Sequence, residues 1–473
     1  MTGTDFLCLT PLMIIAGAPV LMMLFVAIKR NLTIIYGFSI VAFIAAFLSL
    51  FVVLPAIPFK LSTLLVFDQF SILFFGIIIL GSMLVTLISW DFIINQESEK
   101  EEYFIIMFIA ALGSMILVSA CNFVTLFLGL ETLSISLFIL IAYRRARRQS
   151  IEASVKYLVL ASVSSAFLLF GMGLIYADTG TLEFSQIGRV LTFTDFSSPL
   201  LLTGFGMMLV GIGFKMALVP FHMWTPDIYQ GGPVPVTTFI ATISKGAVMA
   251  LLIRFFFAIR GFHNHNFVIV ITLLAVLSMF VGNILAIRQQ NIKRILAYSS
   301  IANMGYLLVT LLTGNEYGIK AATFYIISYT ITTLGAFEIV GLLSSRQNER
   351  EHLDQYKGLF WKNPFVAIVF TLSLLSLAGI PITAGFIAKF YIVFSGINSG
   401  LWLLVISLII NTVIGLYYYL RVITALFSPP GDADFPPITL TGHVVLAIVA
   451  IGILWLGIFP EWIVSHISGF SGL

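Results

Sequence analysis

Apolar runs long enough to cross the hydrocarbon core of a bilayer, about 20 residues each, recur along nearly the whole chain. They fall near residues 9–27, 33–54, 70–90, 104–120, 122–142, 155–176, 200–227, 234–257, 267–287, 295–313, 320–343, 365–397, 401–427 and 441–466. The pattern predicts an all-α polytopic membrane protein with fourteen spans. Two of them should be broken. Pro220 and Pro226 in the seventh, and Pro381 in the twelfth, each remove a backbone donor and crowd the preceding turn. Such a break is tolerated at membrane depth only against protein or a water-filled cavity. The first run has no basic leader and no small-residue cleavage site, and reads as a retained span. The stretch 177–199, with Asp178, Thr179, Gly180 and Pro199, reads as an external loop. Residues 428–440, with Pro429, Pro430, Gly431, Asp432, Pro436 and Pro437, read as a rigid cytoplasmic linker.

Polar residues between the runs set the topology. Alternate loops carry Lys29 and Arg30; Lys100; Arg144, Arg145, Arg147 and Arg148; Arg288, Lys293 and Arg294; and Arg346, Arg350, Lys357 and Lys362. The opposite loops carry only Lys60, Arg189, Arg260 and Lys320. Lys and Arg collect on the cytoplasmic side, so this bias places both termini in the periplasm or its equivalent.

The two broken spans hold related sequence. Gly213-Phe214-Lys215 precedes Pro220 in the first, and Pro381 precedes Gly385-Phe386-Ile387-Ala388-Lys389 in the second. The lysines stand 174 residues apart, and Glu131 stands 172 residues before Asn303. A repeat of five spans follows. An odd number inverts the second copy, the plan of many ion transporters with midplane sites and discontinuous helices. The expected organisation is a three-helix segment over 1–103, a first repeat over 104–260, a second over 261–427, and a linker with a last transmembrane helix over 428–473.

Charges inside the spans are where chemistry is expected, because an ionised group in hydrocarbon is costly and functional by default. Glu131 and Lys245 lie mid-span, too deep to reach water easily. Lys215 and Lys389 lie beside the breaks. Together they suggest a lateral row of titratable groups at the midplane. Moving Glu131 toward or away from Lys215 would switch how tightly that amine holds its proton. His222, inside the first break, either shuttles protons between Lys215 and Lys245 or caps broken backbone. Asp227 is expected to cap or neutralise a helix end near the cytoplasmic face, with Trp224 and Tyr229 as interface anchors. Glu338 and Arg421 lie near span ends and suit structural roles; Arg254 and Lys156 are expected to snorkel. The pairs Gly204/Gly206 and Gly211/Gly213 should let helices approach closely.

Composition narrows the picture further. Of 473 residues, 60% are hydrophobic and 10% charged, with a mean hydropathy of +1.08, against roughly 25% charged in soluble domains. The net charge of +3 is spread over short loops, which speaks for topology and against nucleic-acid binding. Cys8 and Cys121 occupy distant stretches with no C-x-x-C, which excludes a disulfide framework and a self-contained zinc or iron–sulfur site.

Four stretches carry a resemblance: Leu218 to Gly231 (LVPFHMWTPDIYQG), followed by Thr242-Ile243-Ser244-Lys245; Asn291 to Ser300 (NIKRILAYSS); and Gly415 to Arg421 (GLYYYLR). They resemble the antiporter-like membrane subunits of respiratory complex I, bacterial NADH-quinone oxidoreductase, over nearly the whole chain. The resemblance implies proton translocation coupled to electron transfer from NADH to quinone, with Glu131, Lys215, Lys245 and Lys389 as the proton path. It implies a bacterial inner-membrane location and work only among other membrane-arm subunits. It also implies no cofactor in this chain, with FMN, iron–sulfur clusters and quinone in partner subunits. Relatives often carry histidine where this chain has Asn303. A relay there would need water or a neighbour such as Tyr306. A subunit of a multisubunit cation/proton antiporter is the alternative, and a packing scaffold the third.

Overall fold

The structure, a computed structural model, describes residues 3–94, 100–194, 198–344, 349–429 and 435–467. Arg346 of the basic loops and Pro430, Gly431 and Asp432 of the linker lie outside them. Among the described residues, thirteen helices are long and apolar enough to cross a membrane, and two shorter apolar helices, Pro364–Ala378 and Ala384–Asn398, make up the broken twelfth span. The fourteen predicted spans are thus all helical. The break between spans four and five falls where expected: Glu102–Ser119 ends, and Phe123–Ile141 begins at Asn122, whose side chain accepts from the Val124 amide at 2.9 Å.

Two loops hold structure that the apolar pattern did not show. Residues 177–199 were expected to be a loop. Instead Arg148–Thr179 runs on to Gly180, which closes it in the left-handed region at φ 70°, and a further helix spans Phe184–Thr194. Phe184, Ile187, Gly188 and Leu191 recur at helical spacing and are buried, a stripe too short to register as a span. Phe59–Leu61 and Leu65–Phe67 form an antiparallel hairpin in which Phe59 faces Phe67.

The chain divides into two compact units. Of the described residues, the first takes those from 3 to 216 and from 243 to 264, and the second those from 217 to 242 and from 265 to 467. In the first, Arg148–Thr179 and Pro199–Met216 pack with glycine against glycine. A Cβ at Gly171 would lie 2.5 Å from the Gly204 carbonyl oxygen and 2.7 Å from the Met208 nitrogen. Gly204 and Gly211 therefore act as expected, whereas Gly206 has nothing within 4 Å. Because the obstruction at Gly171 is backbone, Gly171→Ala should force these helices apart and cost about 1–3 kcal/mol, read as a lower melting temperature of the purified protein; Gly206→Ala serves as the neutral control.

Burial separates the helices into classes. Val234–Ala258 and Ile292–Leu312 are 100% buried over their most apolar window, against 33% for Arg148–Thr179. The first of these contains a π-helical turn, Ile240–Ser244, directly before Lys245. Such turns frequently mark functional positions.

Candidate functional site

In the first unit the site is built on three helices. Glu131 and Ser134 lie one turn apart on Phe123–Ile141 and so share a face. Lys215 lies on the last turn of Pro199–Met216 and is buried, 6% exposed. Its Nζ donates to the Ser134 hydroxyl at 2.6 Å, and that hydroxyl donates to the Leu130 carbonyl at 2.5 Å. The ammonium also faces the Tyr157 ring, 5.2 Å from its centroid. The Glu131 carboxylate is held separately, accepting a short hydrogen bond from Ser165 of the Arg148–Thr179 helix. Glu131 and Lys215 are therefore not in direct contact: serine hydroxyls hold the amine and the acid apart. Lys245, also in this unit, is 1% exposed at the head of its helix after the π turn.

The same unit contains a clamp. Arg254 was expected to snorkel. It is instead buried, with Nη1 and Nη2 on the two Asp68 carboxylate oxygens at 2.8 and 2.9 Å and Nε on the Val118 carbonyl at 3.1 Å. Asp68 caps Gln69–Ile94 reciprocally with Ser71: the Ser71 amide donates to the Asp68 carboxylate at 2.7 Å and the Asp68 amide to the Ser71 hydroxyl at 2.8 Å. Lys156, by contrast, is half exposed and pairs with Glu152.

In the second unit the breaks supply the polar backbone. After Met216, Ala217 takes a left-handed φ of 59°, and the freed Val219 amide finds the Ser278 hydroxyl at 3.0 Å. His222 in this break is 6% exposed, and neither ring nitrogen has a hydrogen-bond partner among the described residues. The helix resumes as Trp224–Gly231. Trp224 and Tyr229, expected as interface anchors, are 2% and 0% exposed; they sit in packed protein and not at a lipid boundary. Asp227 does neutralise a charge, pairing with Arg294 at 2.9 Å. Lys293, beside it, is fully buried against Glu349 at 3.1 Å, and Asn291 donates to Glu351 at 2.6 Å. The acidic partners come from residues 349–351, which no spacing in the sequence links to 291–294.

Lys389 occupies the second break. Pro364–Ala378 ends at Gly379, whose φ is 85°, and a Cβ there would lie 2.9 Å from Lys389 Cδ. Glycine is thus required both by conformation and by the close approach of the lysine stem. The Lys389 ammonium donates to the carbonyls of Leu377 and Ala378 at 2.9 and 3.0 Å, groups left without partners by the end of the helix and bearing the negative end of its dipole. Its Nζ lies 5.2 Å from the Tyr306 ring centroid. Asn303 is engaged by Tyr325 and Ser299, not by Tyr306, whose hydroxyl accepts from Asn283 at 3.1 Å. Arg421 and Gln289 confirm a structural use: the guanidinium closes the end of His265–Ile287 by donating to the Ile287 and Gln289 carbonyls.

Sequence reasoning found the charged residues and missed the hydroxyls that hold them. Ser134 was accessible as the residue one turn from Glu131. Ser165 and Tyr157, on another helix, had no such signal.

A family model described as the transmembrane region of NADH:quinone oxidoreductase/Mrp antiporter proteins matches residues 120–415. The chain is 40% identical over 465 residues, 98% of itself and 94% of the relative, to NADH-quinone oxidoreductase subunit N of Methylococcus capsulatus. It is similar to a chain of respiratory complex I from Thermus thermophilus with bound aureothin, at TM-score 0.84 and 31% identity over 96% of this chain and 98% of that one. The Mrp complex from a Dietzia species shares the fold, with TM-score 0.87 at 19% identity over 99% and 96% of the two chains.

Proposed function

We propose, since the chain belongs to the NADH:quinone oxidoreductase/Mrp antiporter family of membrane proteins, that it is a proton-translocating membrane-arm subunit of an NADH–quinone oxidoreductase. It is a multi-span membrane protein. Electron transfer from NADH to quinone takes place on FMN and iron–sulfur clusters of partner subunits, and the present chain converts that energy into proton movement. It works within a bacterial inner membrane beside other membrane-arm subunits, both termini in the periplasm; the excess of Lys and Arg on alternate loops supports this orientation.

One observation carries the mechanism: Lys215 and Lys389 are buried amines held by neutral oxygens, a hydroxyl in one case and carbonyls in the other. An amine locked to a carboxylate keeps its proton; one resting on neutral acceptors is free to trade it. Glu131, one turn from Ser134, is the charge that makes the trade switchable. Bringing a carboxylate within about 4 Å of an ammonium at an effective dielectric of about 20 is worth about 4 kcal/mol, several powers of ten in proton affinity. A shift of the Lys215 ammonium from Ser134 toward Glu131 loads the proton, and its return to Ser134 releases it. Lys245 and Lys389 act as further proton carriers, and His222 exchanges protons in the first break.

The runner-up, a cation/proton antiporter subunit, draws support from the Mrp half of the family description. Deletion of the chain separates the two. Membranes from the deletion strain are expected to lose NADH-driven quinone reduction and the proton gradient it generates. Intact respiration with lost sodium tolerance would assign the chain to an antiporter instead.

A further inference from the structure

The loops opposite the basic ones are poor in Lys and Arg, as topology demands, and carry only Lys60, Arg189, Arg260 and Lys320. Three of these four meet in one place. Lys60 on the hairpin strand Phe59–Leu61, Arg189 on the helix Phe184–Thr194 and Arg260 just past the end of Lys245–Ala258 all line a cavity of about 560 Å³ in the first unit. Arg260 reaches its position through strained backbone. It takes the left-handed region at φ 54°, a conformation that helix ends usually give to glycine, although Gly261 stands one residue later.

The acids of this cavity are already engaged. Asp68 is held by both ends of the Arg254 guanidinium, and Glu183 accepts from the Ser185 hydroxyl at 2.7 Å. The side chains of Lys60, Arg189 and Arg260 have no hydrogen-bond or ion-pair partner among the described residues. Arg254, 6% exposed, also lines the cavity and keeps two N–H groups beyond the three it places on Asp68 and Val118. Four cations thus stand against two carboxylates, a surplus of two positive charges. Open donors with unbalanced positive charge select an anion, and the planar fork of arginine matches the oxygens of a phosphate.

Depth selects the kind of phosphate. Gln69–Ile94 and Phe123–Ile141 begin at the cavity, just after Asp68 and Cys121, and Val234–Ala258 ends at it. The cavity therefore lies where hydrocarbon gives way to headgroups, and Val66, Phe184 and Phe257 add apolar wall to the charged one. Its volume is in the range of sites for whole small molecules, more than a bare inorganic ion fills. We propose that this cavity binds the phosphate headgroup of an anionic phospholipid from the leaflet opposite the basic loops, with Lys60, Arg189 and Arg260 on the phosphate and Arg254 as a further donor. None of these residues belongs to the proton path, and the site holds under either transport reading.

Cys121 lines the same cavity, partly exposed, and reports on its occupant. The assembled complex is placed in nanodiscs of phosphatidylcholine alone, of phosphatidylcholine with phosphatidylglycerol, or of phosphatidylcholine with added inorganic phosphate. Alkylation of Cys121 by a neutral maleimide is then followed by peptide mass spectrometry. Phosphatidylglycerol is expected to slow the labelling severalfold. The triple variant Lys60→Gln/Arg189→Gln/Arg260→Gln should abolish that protection, whereas Lys320→Gln, which is not at the cavity, should keep it. Comparing discs within each variant removes the general effect of a negative surface on thiols. Equal labelling with and without phosphatidylglycerol, or protection that survives the triple variant, would overturn the proposal. Protection by inorganic phosphate as strong as that by the lipid would assign the site to a free anion instead. A Cys121 closed in every disc and opened only by the triple variant would give the cavity to an acidic segment of a neighbouring chain. Thr192→Cys, exposed at the same cavity, is labelled in parallel, so that a sluggish Cys121 still leaves a reading.

Discussion

Lys215→Ala is expected to lower proton pumping by the assembled complex on the order of a hundredfold, the low end of what a positioned proton-transfer group contributes, with NADH-driven quinone reduction falling alongside. Lys215→Arg should be nearly as damaging. It keeps the charge and can still reach the Ser134 hydroxyl, but a guanidinium does not release its proton in a protein. The pair of variants separates two meanings of the buried charge. If Lys215 only neutralised Glu131 or braced the helix end, arginine would serve and pumping would survive. Wild-type pumping by Lys215→Arg would therefore remove Lys215 from the proton path. Ser134→Ala is the graded member of the series: it leaves the amine titratable and deletes the oxygen that holds it away from Glu131.

The second large effect is on stability. Arg254→Ala should cost the protein about 3–5 kcal/mol, the usual result of removing one partner of a buried ion pair and stranding the other. The stranded group is Asp68, whose side chain is 19% exposed, and the unpaired Val118 carbonyl adds to the loss. The measurement is detergent- or heat-induced unfolding of the purified complex, with Asp68→Asn and the double variant completing a cycle. The same pair gives the stability a pH dependence. Burial pushes the Asp68 carboxyl up, but the Arg254 guanidinium and the Ser71 hydrogen bonds outweigh it and hold the group below its ordinary 3.8. A carboxyl lowered in the folded state contributes its full stability above the unfolded value and loses it as pH falls through the folded one. Wild-type protein should therefore lose stability at acid pH through this site, and Arg254→Ala should show a smaller acid-dependent loss because its stability is already reduced at neutral pH. Equal pH slopes in the two proteins would sink the assignment.

The sequence made the membrane architecture legible because hydrocarbon imposes a length on every span and water imposes charge on every loop. The short gap between the fourth and fifth runs is where that reading was thinnest, and the structure settles it with Asn122 capping the helix that follows. The breaks were legible for the same reason, proline and lysine being expensive at depth. What stayed hidden was anything decided between segments far apart in the chain. Arg254 looked like a residue reaching for water because its span end was visible and Asp68, 186 residues earlier, was not. Trp224 and Tyr229 looked like boundary aromatics because their neighbours were polar; burial by other helices is a tertiary fact. Phe184–Thr194 was missed because its apolar stripe covers only two turns, below the length at which a hydropathy pattern speaks.

The wholly enclosed span Val234–Ala258 bears on how the protein is made. Its mean hydropathy of 1.8 is well under the 2.6 of Leu32–Ala56, and Lys245 sits near its middle. A lysine at the centre of an inserting helix costs about 2.5–3.5 kcal/mol on the translocon scale, and the half that bears it, Lys245–Ala258, packs on helices made earlier, Glu102–Ser119 and Pro199–Met216. Its entry into the bilayer therefore depends on company, with those earlier segments held nearby to receive it. Biogenesis, and not only turnover, is constrained by where the buried amines lie.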